Sequence, residues 1–231
     1  MEKKSGVTLP RWVLGIIAAV GILLVLLLVV LIPRGGSSNG SSSGTSTSTA
    51  EQPLARASSS VAAGSCGAGA SDDQAVMDAA PKGTSWVTTD AGWTGPVSKT
   101  AGPMVSSPVR SCFEHSADGA LHAAMWATIE INEAPAAYMP SVVGPGAESM
   151  RQSRQNDTKT RTVVRIIGYR YVSYTPERAN VRVLMQTPMG DERSWDIVMV
   201  WQDGDWRFWA PTTLPGVTVE SDTSKFITWG S

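Results

Sequence analysis

The chain has 231 residues with 19 Lys and Arg against 20 Asp and Glu, a formal net charge of −1. That balance excludes a whole-protein field that would gather nucleic acid or an anionic surface. Two cysteines and two histidines leave little material for metal or thiol chemistry, and the length suits one ordinary domain with appendages.

Residues 1–11 form a short, basic N-terminus containing Lys3, Lys4 and Arg11. Residues 13–32, VLGIIAAVGILLVLLLVVLI, then run without a charged or polar side chain. At about 1.5 Å per residue the run reaches roughly 30 Å, the thickness of a bilayer's hydrocarbon core. A cleaved signal peptide has a shorter apolar region and a small-residue cleavage site, whereas this run ends in Ile32-Pro33-Arg34. The reading is a retained transmembrane helix over 12–33, with Trp12 at the interface. Positive charge is concentrated before the span, which keeps the N-terminus cytoplasmic and exports the chain beyond residue 33. The expected location is the cell membrane, with one span and an extracytoplasmic C-terminal domain.

Residues 34–61 are a linker; 35–49, GGSSNGSSSGTSTST, contain only Gly, Ser, Thr and one Asn. Such a segment cannot bury apolar surface and reads as a disordered tether reaching about 30 Å root-mean-square. Asn39-Gly40-Ser41 and Asn156-Asp157-Thr158 match the glycosylation sequon, without meaning in a bacterial host. Five of the Lys and Arg and two of the acids precede residue 62, leaving 14 against 18 in the remainder. That remainder shows no internal repeat.

Residues 62–111 read as an irregular Trp- and Pro-containing segment, with Trp86 and Trp93 expected to pack onto the main body. From Asp118 to Glu133, apolar residues at three-and-four spacing (Leu121, Ala124, Met125, Ile129) predict a helix with one mostly apolar face. Ser116 or Asp118 supplies its N-cap, and Pro135 limits it. A second, polar helix is predicted over 146–156. The period then changes to two, predicting strands over 162–174, 179–187, 194–201 and 206–211. Thr175-Pro176-Glu177-Arg178 and Thr187-Pro188-Met189-Gly190-Asp191 serve as turns. Short connections make these four strands an antiparallel meander; in the second, Ala179, Val181, Val183 and Met185 face the core while Asn180, Arg182 and Gln186 face water. Residues 213–231 are left as a C-terminal tail.

Helices followed by such a meander define an α+β domain with helices packed on one face of a curved four-stranded antiparallel sheet. This order, with the strand Gly168-Tyr169-Arg170-Tyr171 and the hairpin Trp201-Gln202-Asp203-Gly204-Asp205-Trp206-Arg207, resembles the cystatin-like cone of the nuclear-transport-factor-2-like superfamily over residues 112–212.

Asp203-Gly204 fits a two-residue type I′ turn. That register opposes Trp201 to Trp206, Val200 to Arg207, Met199 to Phe208 and Val198 to Trp209. Met199, Trp201, Trp206 and Phe208 then form a core face beneath the helix. Val198, Val200, Arg207 and Trp209 form the other face, the candidate partner contact, from which Trp209→Ala should leave folding nearly intact.

Little in the exported part has the pattern of catalysis. Cys66 and Cys112 lie where oxidising conditions permit a bridge, and an even count makes a disulfide the expectation. Cys112 and His115 lack the surroundings of a nucleophilic pair. Cys66, Cys112, His115 and His122 lack the close pairing of a zinc module. His115 and His122, seven apart, would share a face if both were helical. Tyr169, Tyr171, Tyr174 and Asp196 could supply a Tyr–Asp or Asp–His pair in a pocket. No nucleotide-binding or hydrolase motif occurs. No catalytic, cofactor-binding or metal residue and no cofactor is therefore expected. Residues 151–182 carry eight Lys and Arg against Asp157 and Glu177, either a solvated face or a basic patch for an acidic partner or DNA; the exported location disfavours direct nucleic-acid contact.

A second likeness rests on sequence motifs. Ser65-Cys66-Gly67, Asp73-Gln74-Ala75-Val76, Trp86, Pro96-Val97-Ser98-Lys99-Thr100-Ala101-Gly102-Pro103 and Ser111-Cys112-Phe113-Glu114-His115-Ser116-Ala117-Asp118-Gly119-Ala120 occur in order. They resemble the motif series of single-pass actinobacterial membrane proteins found with conjugative and integrative elements. Ala117-Asp118 stands where a Pro-Thr or Pro-Gln pair is common there, which bears on the helix cap. The plan of span, linker and exported cone is also similar to the bitopic scaffold subunit of type IV secretion systems. The resemblance implies a non-enzymatic assembly component of a transfer apparatus, with other membrane subunits or a second copy as partners. The alternatives are an envelope accessory protein, such as one of a lipid-import system, and an exported small-molecule-binding cone.

Overall fold

The computed structural model describes residues 69–230 except 156, 158 and 160. The expected transmembrane helix, the linker and Cys66 lie outside the described residues. Among those described, no helix is long and apolar enough to cross a membrane.

The central helix α1, Ala117–Glu133, starts where expected. The Ser116 side chain accepts the Gly119 N–H at 3.0 Å, which satisfies one of the orphan donors of a helix start. It stops before Pro135, whose ring cannot continue the ladder. A short helix α2, Pro135–Tyr138, and a 3-10 turn, Met139–Ser141, come next. The polar helix is shorter than predicted: α3 spans Ala147–Arg154.

The expectation of one apolar face on α1 is corrected. The buried residues of α1 run from Ala117 to Ile131 and include His122, Thr128 and Glu130, so they lie on every side of the helix. The cause is a second layer. The segment read as irregular contains a hairpin, β1 Thr84–Thr88 and β2 Thr94–Ser98, with Trp86 opposite Pro96. It packs on the side of α1 away from the main sheet. Gly95 presses so closely that an added Cβ would stand 2.6 Å from the Trp126 ring, and Trp126 Nε1 donates to the Pro96 carbonyl at 2.7 Å. Small residues on α1, such as Ala120, Ala123, Ala124 and Ala127, permit close approach on both sides.

The sheet has the predicted meander: β3 Arg165–Thr175, β4 Arg178–Gln186, β5 Glu192–Gln202 and β6 Asp205–Phe208, in the order β6-β5-β4-β3. Register shifts between Ile166 and Gly168 and between Tyr171 and Ser173 interrupt the β3–β4 ladder, irregularities that bend and twist a strand. Ala179, Val181, Val183 and Met185 are buried on the helix side, alternating with half-buried Asn180, Arg182 and Gln186.

The C-terminal tail is the largest departure. It returns twice to the sheet: β7 Thr218–Val219 pairs with the start of β5, and β8 Ile227–Thr228 adds to the free edge of β3. Trp229 is buried, edge-on to Trp86, His122 and Tyr169. Two-residue strands carry no periodic signal, so position along the chain does not reveal them.

The last hairpin has the expected turn and register. Asp203 and Gly204 have φ of 54° and 78°, as type I′ requires. Met199 opposes Phe208, Val200 opposes Arg207 and Trp201 opposes Trp206. Met199, Trp206 and Phe208 are buried, but Trp201 is not in the core. It is partly buried at the hairpin end, packed against the edge of the core beside Trp206, with its ring stacked on His115 at 4.1 Å and 13°.

Candidate functional site

One opening among the described residues joins an apolar lining to a charged rim. A groove of about 760 Å³ lies between the C-terminal end of α1, the ends of β3, β4 and β5 and the strap 214–217, within the range of ligand pockets. Each wall has a local cause. The helical rise of α1 brings Thr128, Ile131 and Asn132 to its inner end. The β1–β2 turn carries buried Trp93. Strand alternation turns Met185 inward, and Val164 and Trp195 are partly buried against the same core. The strap is held by Trp195 Nε1, which donates to the Pro215 carbonyl at 3.1 Å. Met189, Leu214 and Val217 stand exposed at the lip.

The groove is edged by guanidinium groups. Arg154 and Arg161 converge on Asp157, Arg154 at 3.1 Å, and Arg193 lies 3.7 Å from Asp191. The Asp157 carboxyl is held below the usual carboxylate range, first by the Lys159 backbone N–H and then by these arginines. Arg193 Nε and Thr187 Oγ1 are buried without a hydrogen-bond partner.

The other residues singled out from the sequence serve the fold. His115 Nε2 lies 2.7 Å from the Pro176 carbonyl. His122 is buried, with Nδ1 2.9 Å from both the Asp118 carbonyl oxygen and Asp118 Oδ1. Only the carbonyl is aligned for a hydrogen bond, and Oδ1 is left unsatisfied. The two histidines share no face, because His115 precedes the Ser116 cap and is not helical. Tyr169, Tyr171 and Tyr174 donate to Ala79 O, Ala117 O and Gln74 Oε1. Burial pushes all three hydroxyls upward, Tyr174 to about 12. Asp196 forms a two-point pair with Arg182 at 2.5 and 2.8 Å, so the imagined Tyr–Asp or Asp–His pocket pairs do not form.

The basic stretch 151–182 is dispersed rather than gathered into one patch. Arg151 donates to the Met139 and Val142 carbonyls, Arg165 to Gln186, and Arg178 stacks over Trp209 at 4.3 Å. The candidate partner face lies on the last hairpin, away from the groove lining. Val198, Val200, Arg207 and Trp209 are all half-buried. Trp209 is wedged between Arg178 and Gly144, where a Cβ would stand 2.9 Å from its ring.

Cys112 is not a free thiol; the expected partner, Cys66, lies outside the described residues. Among the described residues no group of three His, Cys, Asp or Glu side chains is placed to hold a metal ion.

Sequence reasoning missed the groove's strap and its arginine rim. The only available signal was the run Leu214-Pro215-Gly216-Val217, whose apolar residues in a Pro-Gly segment hint at a docked strap rather than a free tail.

These features define an α+β domain with a helix enclosed between a meander sheet and a small hairpin, and with an apolar, arginine-edged groove at one end. The chain belongs to the family described as a domain of unknown function, DUF8175, whose model matches residues 45–228. No curated protein and no solved structure matches the chain.

Proposed function

We propose that this chain is a membrane-anchored assembly component of a conjugative, type IV secretion-like transfer apparatus. It is held by a helix over 12–33 and works through its extracytoplasmic domain, a cystatin-like cone. The observation that carries the reading is the joining of an apolar groove to a sheet whose Asp205, Asp196 and three tyrosine hydroxyls are engaged in holding the fold. Asp205 receives three backbone N–H groups, Asp196 is paired with Arg182, and the three tyrosine hydroxyls are donated to structural acceptors. A groove beside groups so engaged fits a binding module.

The motif series from Ser65 to Ala120 and the plan of span, linker and domain support the transfer-apparatus setting by resemblance. The long linker fits a domain that meets other membrane subunits at a distance from the bilayer. Extraction of the full chain from its host membrane, with identification of co-purifying proteins, tests the reading. Recovery of a coupling ATPase and channel subunits supports it; a lone monomer overturns it.

A further inference from the structure

The groove's chemistry goes beyond the assembly reading and does not depend on it. Its interior is apolar, formed by Ile131, Val164, Met185 and Trp195, and Met189 at its lip is 88% exposed. A concave wall of apolar side chains suits an apolar ligand.

Charge identifies the head of the occupant. Three guanidiniums, those of Arg154, Arg161 and Arg193, line the groove, and they meet two carboxylates, Asp157 and Asp191. One positive charge is left over, and the Arg193 guanidinium, 42% exposed and no nearer than 3.7 Å to Asp191, can serve an anionic group.

Hydrogen bonding distinguishes an acyl chain from a peptide. At the ends of β4 and β5 the main chain is already engaged: Thr187 N–H bonds the Asp191 carbonyl and Glu220 N–H bonds the Glu192 carbonyl, both at 2.9 Å. Trp195 Nε1 is used by Pro215. An extended peptide laid here would bury amides without partners, a cost of about 1–3 kcal/mol for each. An acyl chain has no such groups and gains from every methylene it buries.

We propose that the groove binds a single-chain anionic amphiphile of the fatty-acid class. Its hydrocarbon tail lies against Val164, Trp195, Leu214 and Val217, and its carboxylate is met by the Arg193 guanidinium.

The test uses the full chain in a non-ionic polymer and a stearic acid bearing a diazirine in its tail. Crosslinked peptides are mapped by mass spectrometry, with thermal melts reporting folding. Saturable labelling of the peptides containing Val164, Trp195, Leu214 or Val217 is expected, displaced by unlabelled stearate and about tenfold less well by stearyl alcohol, the share of one charged hydrogen bond. Arg193→Gln should lower the labelling about tenfold with an unchanged melt, since Arg193 is partly exposed. Val217→Asp, also exposed, should do the same by repelling the carboxylate. Labelling confined to residues 13–32, equal competition by the neutral alcohol, or displacement by an acidic apolar peptide but not by stearate would each overturn the proposal.

Discussion

The Asp205 carboxylate accepts the Cys112 backbone N–H at 2.9 Å, a contact that joins the last hairpin to the approach of α1 across more than ninety residues. Its other oxygen accepts the N–H groups of Phe113 and Trp206, both at 2.9 Å. Asp205 is buried, and Cys112 sits at φ 64°, a left-handed conformation that few side chains adopt without support. The carboxylate supplies that support by holding both flanking amides.

Asp205→Ala leaves those N–H groups buried without acceptors. Each unsatisfied donor costs about 1–3 kcal/mol, so the expected loss is about 4 kcal/mol and a fall in Tm of about 10 °C for a domain of this size. Asp205→Asn, which keeps one acceptor oxygen, should lose roughly half as much. Urea unfolding of the three proteins checks the order; an Ala variant as stable as the parent would remove Asp205 from this role.

Trp206 and Trp209 differ by face and should differ in cost. Trp206 is buried and donates from Nε1 to the Glu114 carbonyl at 2.9 Å, so Trp206→Ala should cost about 3–5 kcal/mol. Trp209 is half-buried beneath Arg178. Its truncation should cost about 1–2 kcal/mol, a cation–π contact plus a partial loss of burial. This is more than its outward position in the sequence implies. Denaturant midpoints at constant m distinguish the two.

The parts of this fold legible in the sequence are those with a local period or a turn that fixes register. The extent of α1, the Ser116 cap, the alternation in β4 and the Asp203-Gly204 turn each bear a physical signature and appear in the structure, whereas the single apolar face read from the α1 spacing does not. The β1–β2 hairpin bears no such signature, because Gly95 and Pro96 are poor strand formers whose place is decided by Trp126. The strap and β8 are likewise set by distant partners, Trp195 and β3. The groove is completed by two of those illegible parts, the β1–β2 turn with Trp93 and the strap, so its position could not be read. The tryptophan cluster at 199–211 could be, and it drew attention to a structural hairpin.

Glu130 gives the domain a pH dependence. Its carboxyl is buried and pushed up to about 7, chiefly by desolvation, against the opposing pull of the Arg110 backbone N–H and guanidinium. Below about 4.5 the group is protonated in both folded and unfolded chains and contributes nothing. Between 4.5 and 7 the unfolded chain has released the proton while the folded one keeps it, so stability falls as pH rises. Above 7 the full cost is present, about 3 kcal/mol. Glu130→Gln should flatten this slope and be more stable than the parent at pH 8. Unfolding free energies at pH 5, 6, 7 and 8 check it, and a parent whose Glu130-dependent stability rises over that window contradicts the assignment.

Two glycines make a paired test of the packing at the start of α1. A Cβ at Gly119 would stand 2.0 Å from the Glu114 carbonyl oxygen. That is a clash with main chain in the turn that carries His115 and the Ser116 cap, and no side-chain rotation relieves it. Gly119→Ala should therefore displace the helix start and cost about 3 kcal/mol or more, at the upper end of overpacking effects. Gly216, in the groove strap, has nothing within 4 Å of its ideal Cβ. There Gly→Ala should be neutral or stabilise by a few tenths to 1 kcal/mol, through the reduced freedom of the unfolded chain. Equal effects of the two variants on Tm would mean that α1 is not seated on the 114–116 turn.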